Sequence, residues 1–214
     1  MDDTVDSGIK QLRTYRDRYF KIIREFDAGT TEVYLTDLIY RAALKRSLAL
    51  HRGFCDLVQS RNFTCAAPLV RLQLDNCLRL VALDYVADQS ALVLAVVSGE
   101  PISKMRAATG ENLTDKFLCN KIALQHPWIN SLYDKASGYI HLSEEHVLTA
   151  LSSNPTDEDR FTLYIGDYDP FVSPETYLRV ISDFAQATEL FFAIVVSWVD
   201  EIRSKYYRKD QDSG

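Results

Sequence analysis

The sequence predicts an all-α fold: an antiparallel bundle of about six to seven helices, with a small β-hairpin inserted before the last helix. Three observations predict it. Apolar residues recur at a helical period along most of the chain. Glycine and proline, 8 and 6 of 214 residues, are too sparse for a turn-rich β fold. A composition of 47% hydrophobic and 25% charged residues is that of a globular domain with one core, which sets aside disorder, collagen and coiled coil. A single domain over residues 1–214 is expected.

The elements follow in order. Ile9, Leu12, Tyr15, Tyr19, Ile22 and Phe26 mark a first helix over 8–27. Gly29-Thr30-Thr31 closes it, with Thr31 placed to cap the next. The second helix spans about 32–60, with Leu35, Leu38, Ala42, Phe54 and Leu57 on its inner face and Asn62 as its left-handed terminus. The third spans about 64–88, capped by Thr64, and Pro68 fits only its first turn. A short helix covers Ala91–Val97, then an irregular stretch covers 102–111. Residues 112–124 form another helix, which His126-Pro127 interrupts. Trp128–Ser143 forms the next.

The texture then changes. Val147–Leu151 and Phe161–Ile165 are β-prone runs around an acidic stretch, which predicts a hairpin insertion at about 147–166. Asp157, Glu158, Asp159, Asp167 and Asp169 are expected to form a solvated loop surface. Ser173-Pro174-Glu175 starts the last helix, about 174–207. Its middle, Leu190–Val199, is apolar almost all round and is expected at the centre of the bundle. The tail, about 208–214, is expected to be disordered.

Charge and cysteine usage bound the function. A formal net charge of −6 argues against a dedicated nucleic-acid binder, because neutralising phosphates needs a basic face. Cys55, Cys65, Cys77 and Cys119 form no CxxC pair, so they are expected to be free thiols in a reducing, cytoplasmic setting. The polar, acidic start MDDTVDSG does not resemble a secretory signal. A membrane span needs about 18–20 apolar residues, and the longest run has ten, so a soluble protein with no membrane partner is expected. P-loop, dinucleotide-binding, α/β-hydrolase and zinc-protease motifs are all missing from the sequence.

Two elements carry candidate chemistry. On the third helix, Arg71, Asp75 and Arg79 fall within about 80° of one another. The rest of that helix is mostly Leu, Val, Ala and Cys. Arg and Asp are seldom buried without a partner. They form either an intrahelical pair on an exposed strip or a polar site inside the bundle. In LYDKASGYIHLSEEH, Tyr133, Ser137 and His141 are spaced by four and so share one helical stripe. A phenol, a hydroxyl and an imidazole in line can bond in series or face a ligand. His141 and His146 are five apart and do not share a face, so no metal site and no cofactor is expected.

LVRLQLDNCLRL, followed by about 50 residues and LYDKASGYIHLSEEH, resembles a group of bacterial helical proteins. In that group an Arg-x3-acid helix precedes a Tyr-x3-Ser-x3-His helix and a hairpin. They are similar to the HEPN class of toxins, abortive-infection systems and RNA-processing nucleases. The resemblance covers roughly residues 35–200. It implies that Arg71, Asp75, Tyr133, Ser137 and His141 converge, with Arg71 and His141 as a catalytic pair and the other three as binding residues. It also implies a homodimer. Nuclease members carry Arg-x4–6-His; Arg46 and His51 meet that spacing, but in the second helix rather than late in the chain, and His141 has no such Arg before it.

Three functions remain open. One is a non-catalytic interaction or accessory module, with the polar residues fixing helix register and a protein or a second copy as partner. Another is an RNA- or nucleotide-binding protein with metal-independent RNase activity in a toxin or phage-defence setting, with a basic rim from Arg13, Arg16, Lys21, Arg24 or Arg106. The third is a bundle with a small-molecule pocket.

Overall fold

The computed structural model of the chain describes residues 3–28, 34–153 and 161–212, without the side chains of 145, 153, 161 and 202–212. It is an all-α bundle with a two-stranded antiparallel hairpin before the last helix, as the sequence predicts.

The first predicted helix is two: α1 (Asp3–Arg13) and α2 (Tyr15–Asp27). The joint is Thr14, whose hydroxyl turns back to the Gln11 carbonyl at 2.6 Å. A Thr hydroxyl that bonds within its own turn competes with the helical ladder. α3 runs Leu35–Gln59. Thr31, the expected cap, lies outside the described residues; Asp37 accepts from the Tyr34 backbone N–H at 2.9 Å instead. The left-handed residue after α3 is Arg61 (φ 59°), not Asn62. Asn62 caps α4 (Phe63–Ala66) by accepting from the Cys65 N–H at 2.9 Å.

The predicted helix over 64–88 is divided into α4, α5 (Pro68–Val81) and a 3₁₀ turn at Ala82–Tyr85. Thr64 is not its cap. α6 (Gln89–Val97) starts at Asp88, which accepts from the Ala91 N–H. α7 (Asp115–Ala123) is capped by the Thr114 hydroxyl. α8 (Ile129–Gly138) stops five residues short of the predicted Ser143. The expected strand over 147–151 is mostly helix, α9 (Glu144–Ala150). The hairpin is only β1 (Leu151–Ser153) and β2 (Phe161–Leu163), with Leu151 facing Leu163. Asp157, Glu158 and Asp159 lie outside the described residues. α10 runs Pro174–Asp212, so the backbone stays helical through most of the expected disordered tail.

α5 is the axis of the bundle. Val70, Leu74, Cys77, Leu78 and Leu80 are fully buried. It packs chiefly against α10 and α3. Large rings fill the rest. Phe54 stacks on Phe184 at 4.2 Å, Tyr40 stacks on Trp198 at 4.6 Å, and Tyr19 meets Phe192 edge-on at 4.6 Å. The stretch Pro174–Glu201 of α10 has the length and hydropathy of a membrane-crossing helix. Phe184, Phe191, Phe192 and Val195 are nonetheless buried in this bundle, as a central helix requires. Cys55, Cys77 and Cys119 are buried and Cys65 is exposed; all four are free.

Candidate functional site

The stripe Arg71–Asp75–Arg79 faces α7 and α8 rather than open solvent. Arg71 is the most enclosed, with 11% of its side chain exposed. Its main partner is not Asp75, whose carboxylate is 4.0 Å away, but Asp115 at the start of α7, 2.7 Å away. The guanidinium also donates to the Tyr133 hydroxyl and lies over that ring, 4.0 Å from its centre. Tyr133 donates in turn to Asp115 at 2.8 Å. Arg79 closes the group, donating to Asp75 at 2.9 Å and to Asp115 at 2.6 Å. Asp115 is thus shared between two guanidiniums from one helix.

The chain of bonds continues into the core. Arg46 on α3 donates to Asp75 at 2.8 Å and to the Asn76 amide oxygen at 2.7 Å. Asn76 donates to Gln73, and Gln73 donates to Ser47 at 2.7 Å. Ser47 meets the Tyr19 hydroxyl at 2.5 Å. One polar path therefore joins Tyr19 on α2, Ser47 and Arg46 on α3, α5, Asp115 on α7 and Tyr133 on α8. Its charged part holds three arginines and two carboxylates. The extra positive charge sits at the Arg46 end, where 42% of the side chain is exposed and water can screen it. Arg46, Asp75 and Arg79 also line a groove of about 500 Å³ against α6 and the Glu100–Ser103 segment.

The electrostatics agree with this pairing. Burial alone raises the Asp115 carboxyl, but Arg79, the Tyr133 hydroxyl and Arg71 together outweigh it and hold it below the usual carboxylate range. Burial, and then the bond to Asp115, push the Tyr133 phenol up to about 12. At neutral pH the phenol is a donor and not a base.

The other predicted site residues are placed differently. Because α8 ends at Gly138, His141 leaves the Tyr133–Ser137 stripe and stands exposed in the connection to α9. No hydrogen bond or ion pair joins His141 to Arg71 among the described residues. Ser137 spends its hydroxyl on the Tyr133 carbonyl, one turn back in the same helix, at 2.8 Å. The predicted convergence therefore brings together Arg71, Asp75 and Tyr133, and leaves out His141 and Ser137. Arg46 and His51 do not converge either. Five residues turn a helix by about 140°. Arg46 reaches Asp75, while His51 is buried against the Leu12 carbonyl, 2.8 Å from Nε2.

Asp115, Gln73, Asn76, Ser47 and the Tyr19 hydroxyl belong to the path, and the sequence reading does not include them. Asp115 had one available signal, its place as an acid in a helical first turn after Thr114, but a solvated helix start has the same signature. No group of His, Cys, Asp or Glu among the described residues has the arrangement of a metal site.

Comparison of the chain with protein-family models, curated proteins and solved structures returns no match.

Proposed function

We propose that the protein is a HEPN-like, non-catalytic interaction or accessory module of the cytoplasm, whose polar path fixes helix register. The observation that carries this reading is the closure of the ionic group. Arg71, Asp75, Arg79, Asp115 and Tyr133 satisfy one another, and the imidazole that would act with Arg71 stands elsewhere. The polar path of which this group is part specifies one packing of five helices.

The partner surface in this reading is built from residues 140–148 and 162–168. Ile140, Leu142, Val147, Leu148, Leu163 and Ile165 are all exposed there, Leu142 by 90% and Ile165 by 89%. Clustered apolar exposure marks interaction surfaces. Each hairpin strand also has one edge unpaired among the described residues, a template for another chain. The expected partner is a second copy, in keeping with the dimers that the resemblance implies.

Sedimentation velocity tests this between about 1 and 100 µM. The wild type is expected to dimerise, and the double variant Leu142→Glu/Ile165→Glu to remain monomeric. A wild type that is monomeric throughout overturns the homodimer. Cleavage of RNA by the purified protein, lost in Arg71→Ala without a fall in melting temperature, overturns the non-catalytic reading. It would favour the alternative of a metal-independent RNase in a toxin or phage-defence setting.

A further inference from the structure

A second site lies away from the polar path. α1 ends at Arg13, α2 carries Arg16 and Phe20 one turn apart, and α3 presents Lys45, Leu48, Ala49, Arg52, Cys55 and Asp56 along one stripe. These side chains, with His51, enclose a groove of about 570 Å³. That volume suits one small organic molecule.

The groove has four cations and one carboxylate, in a chain with a formal charge of −6. Asp56 is shared loosely between Arg13 at 3.6 Å and Arg52 at 3.7 Å. Arg16 rests over the Phe20 ring, 5.0 Å from its centre. Neither Arg16 nor Lys45 has a carboxylate partner among the described residues. Between these charges the surface is apolar: Phe20, Leu48, Ala49 and the buried Cys55 thiol. His51 adds a specific polar feature. It is 97% buried, and its Nε2–H is committed to Leu12. The Nδ1 atom is then an acceptor with no protein hydrogen-bond partner among the described residues. Such an acceptor takes an N–H or O–H from water or from a ligand's body, not from its anionic group.

We propose that this groove binds a small amphipathic anion. Its apolar body lies on Phe20, Leu48 and Ala49, and its carboxylate, sulfonate or phosphate is held by Arg16 and Lys45. The site uses none of the residues of the polar path, and its test does not depend on whether the protein dimerises.

The probe is 8-anilinonaphthalene-1-sulfonate, an aromatic body with one anionic group, titrated by fluorescence into the full chain. Saturable binding at one site is expected. The charge reversal Arg16→Glu/Lys45→Glu should weaken it at least about tenfold, and Lys116→Glu, exposed on α7, by less than about twofold. The neutral analogue N-phenyl-1-naphthylamine should bind at least about tenfold more weakly than the sulfonate. Thermal melts establish that each variant is folded. Displacement by adenosine monophosphate assigns the natural ligand to aromatic phosphates, and displacement by decanoate assigns it to aliphatic carboxylates. The proposal is overturned if the probe fails to saturate, or if a folded charge-reversal variant keeps the wild-type affinity. It is overturned equally if the neutral analogue binds as well, or if neither competitor displaces the probe at about 10 mM.

Discussion

Asp115→Asn is the sharpest perturbation of the polar path. The wild-type carboxylate accepts from Arg71 at 2.7 Å, Arg79 at 2.6 Å and Tyr133 at 2.8 Å. An asparagine of nearly the same shape keeps one acceptor and turns an NH₂ toward the remaining donors. Bonds to charged groups contribute about 1.5–3 kcal/mol each. Asp115 leaves 24% of its side chain exposed, so solvent screening discounts that figure. The substitution also leaves Arg46, Arg71 and Arg79 facing Asp75 alone. The expected loss is about 2–3 kcal/mol, or about 4–12 °C in melting temperature for a chain of this size. Ser137→Ala is the control. Its hydroxyl bonds only its own helix, so its cost should stay within about 0.5 kcal/mol. The acid side gives a second readout. The folded Asp115 carboxyl is depressed, so its contribution is complete above the unfolded value of about 3.9 and is lost as pH falls through the folded value. Thermal melts from pH 7 to pH 2.5 should therefore fall less steeply in Asp115→Asn below about pH 4. If Asp115→Asn melts no lower than Ser137→Ala, the path is not holding the helices in register and the reasoning is refuted.

Two further outcomes are expected. Burial first, and the Arg13 charge after it, depress the His51 imidazole despite its bond to Leu12; its contribution is complete above the unfolded value of about 6.5 and is lost as pH falls through the folded value. The wild type should lose stability in that window and His51→Gln should not, and equal slopes in the two proteins would contradict the assignment. Asp169→Ala removes the acceptor for the Thr64 N–H at 2.8 Å and hydroxyl at 3.0 Å, which should cost about 1 kcal/mol and speed hydrogen exchange at the Thr64 amide. Unchanged exchange there would show that the 167–169 loop does not anchor α4.

What was legible in the sequence is what repeats locally. The apolar period placed α3 and α10 within about five residues, because a buried stripe must recur every three to four positions, and it ran past both ends of α5. The same logic put Arg71, Asp75 and Arg79 on one side of α5. It failed where an end is decided by something other than period. At Tyr139–His141 the periodic pattern continues after the helix has stopped, so the period extends the stripe of Tyr133, Ser137 and His141 one turn too far. At Val147–Ala150 a β-prone composition is overridden by the Ser143 cap and a short helix. Asp169, in an acidic stretch with the signature of a solvated loop, is tied to Thr64 across 105 residues. The pairings of Arg71 with Asp115 and of Arg46 with Asp75, across 44 and 29 positions, have no local signature that joins the two partners.

Arg46 and His51 show why spacing alone does not make a site. Within one regular helix, an Arg and a His lie on the same side when they are three, four or seven residues apart. Five residues send them in different directions, and each direction here has its own occupant. Toward α5, Arg46 finds Asp75 and Asn76 and becomes the exposed end of the polar path. Toward α1, His51 finds the Leu12 carbonyl and becomes the buried wall of the cationic groove. α3 is therefore the element that both features share, with one on each side of it. A ligand in the groove would bear on α3 from a different side than the ionic group does. The rigidity that the ionic group gives α3 is what would hold Lys45 and Arg52 at fixed positions beside Arg16. Preorganised cations bind an anion without the cost of ordering long side chains on loose helices. On this argument Asp115→Asn should weaken binding of the anilinonaphthalene sulfonate as well as stability, although Asp115 does not line the groove. An unchanged affinity in a destabilised Asp115→Asn would show that the two faces of α3 are independent.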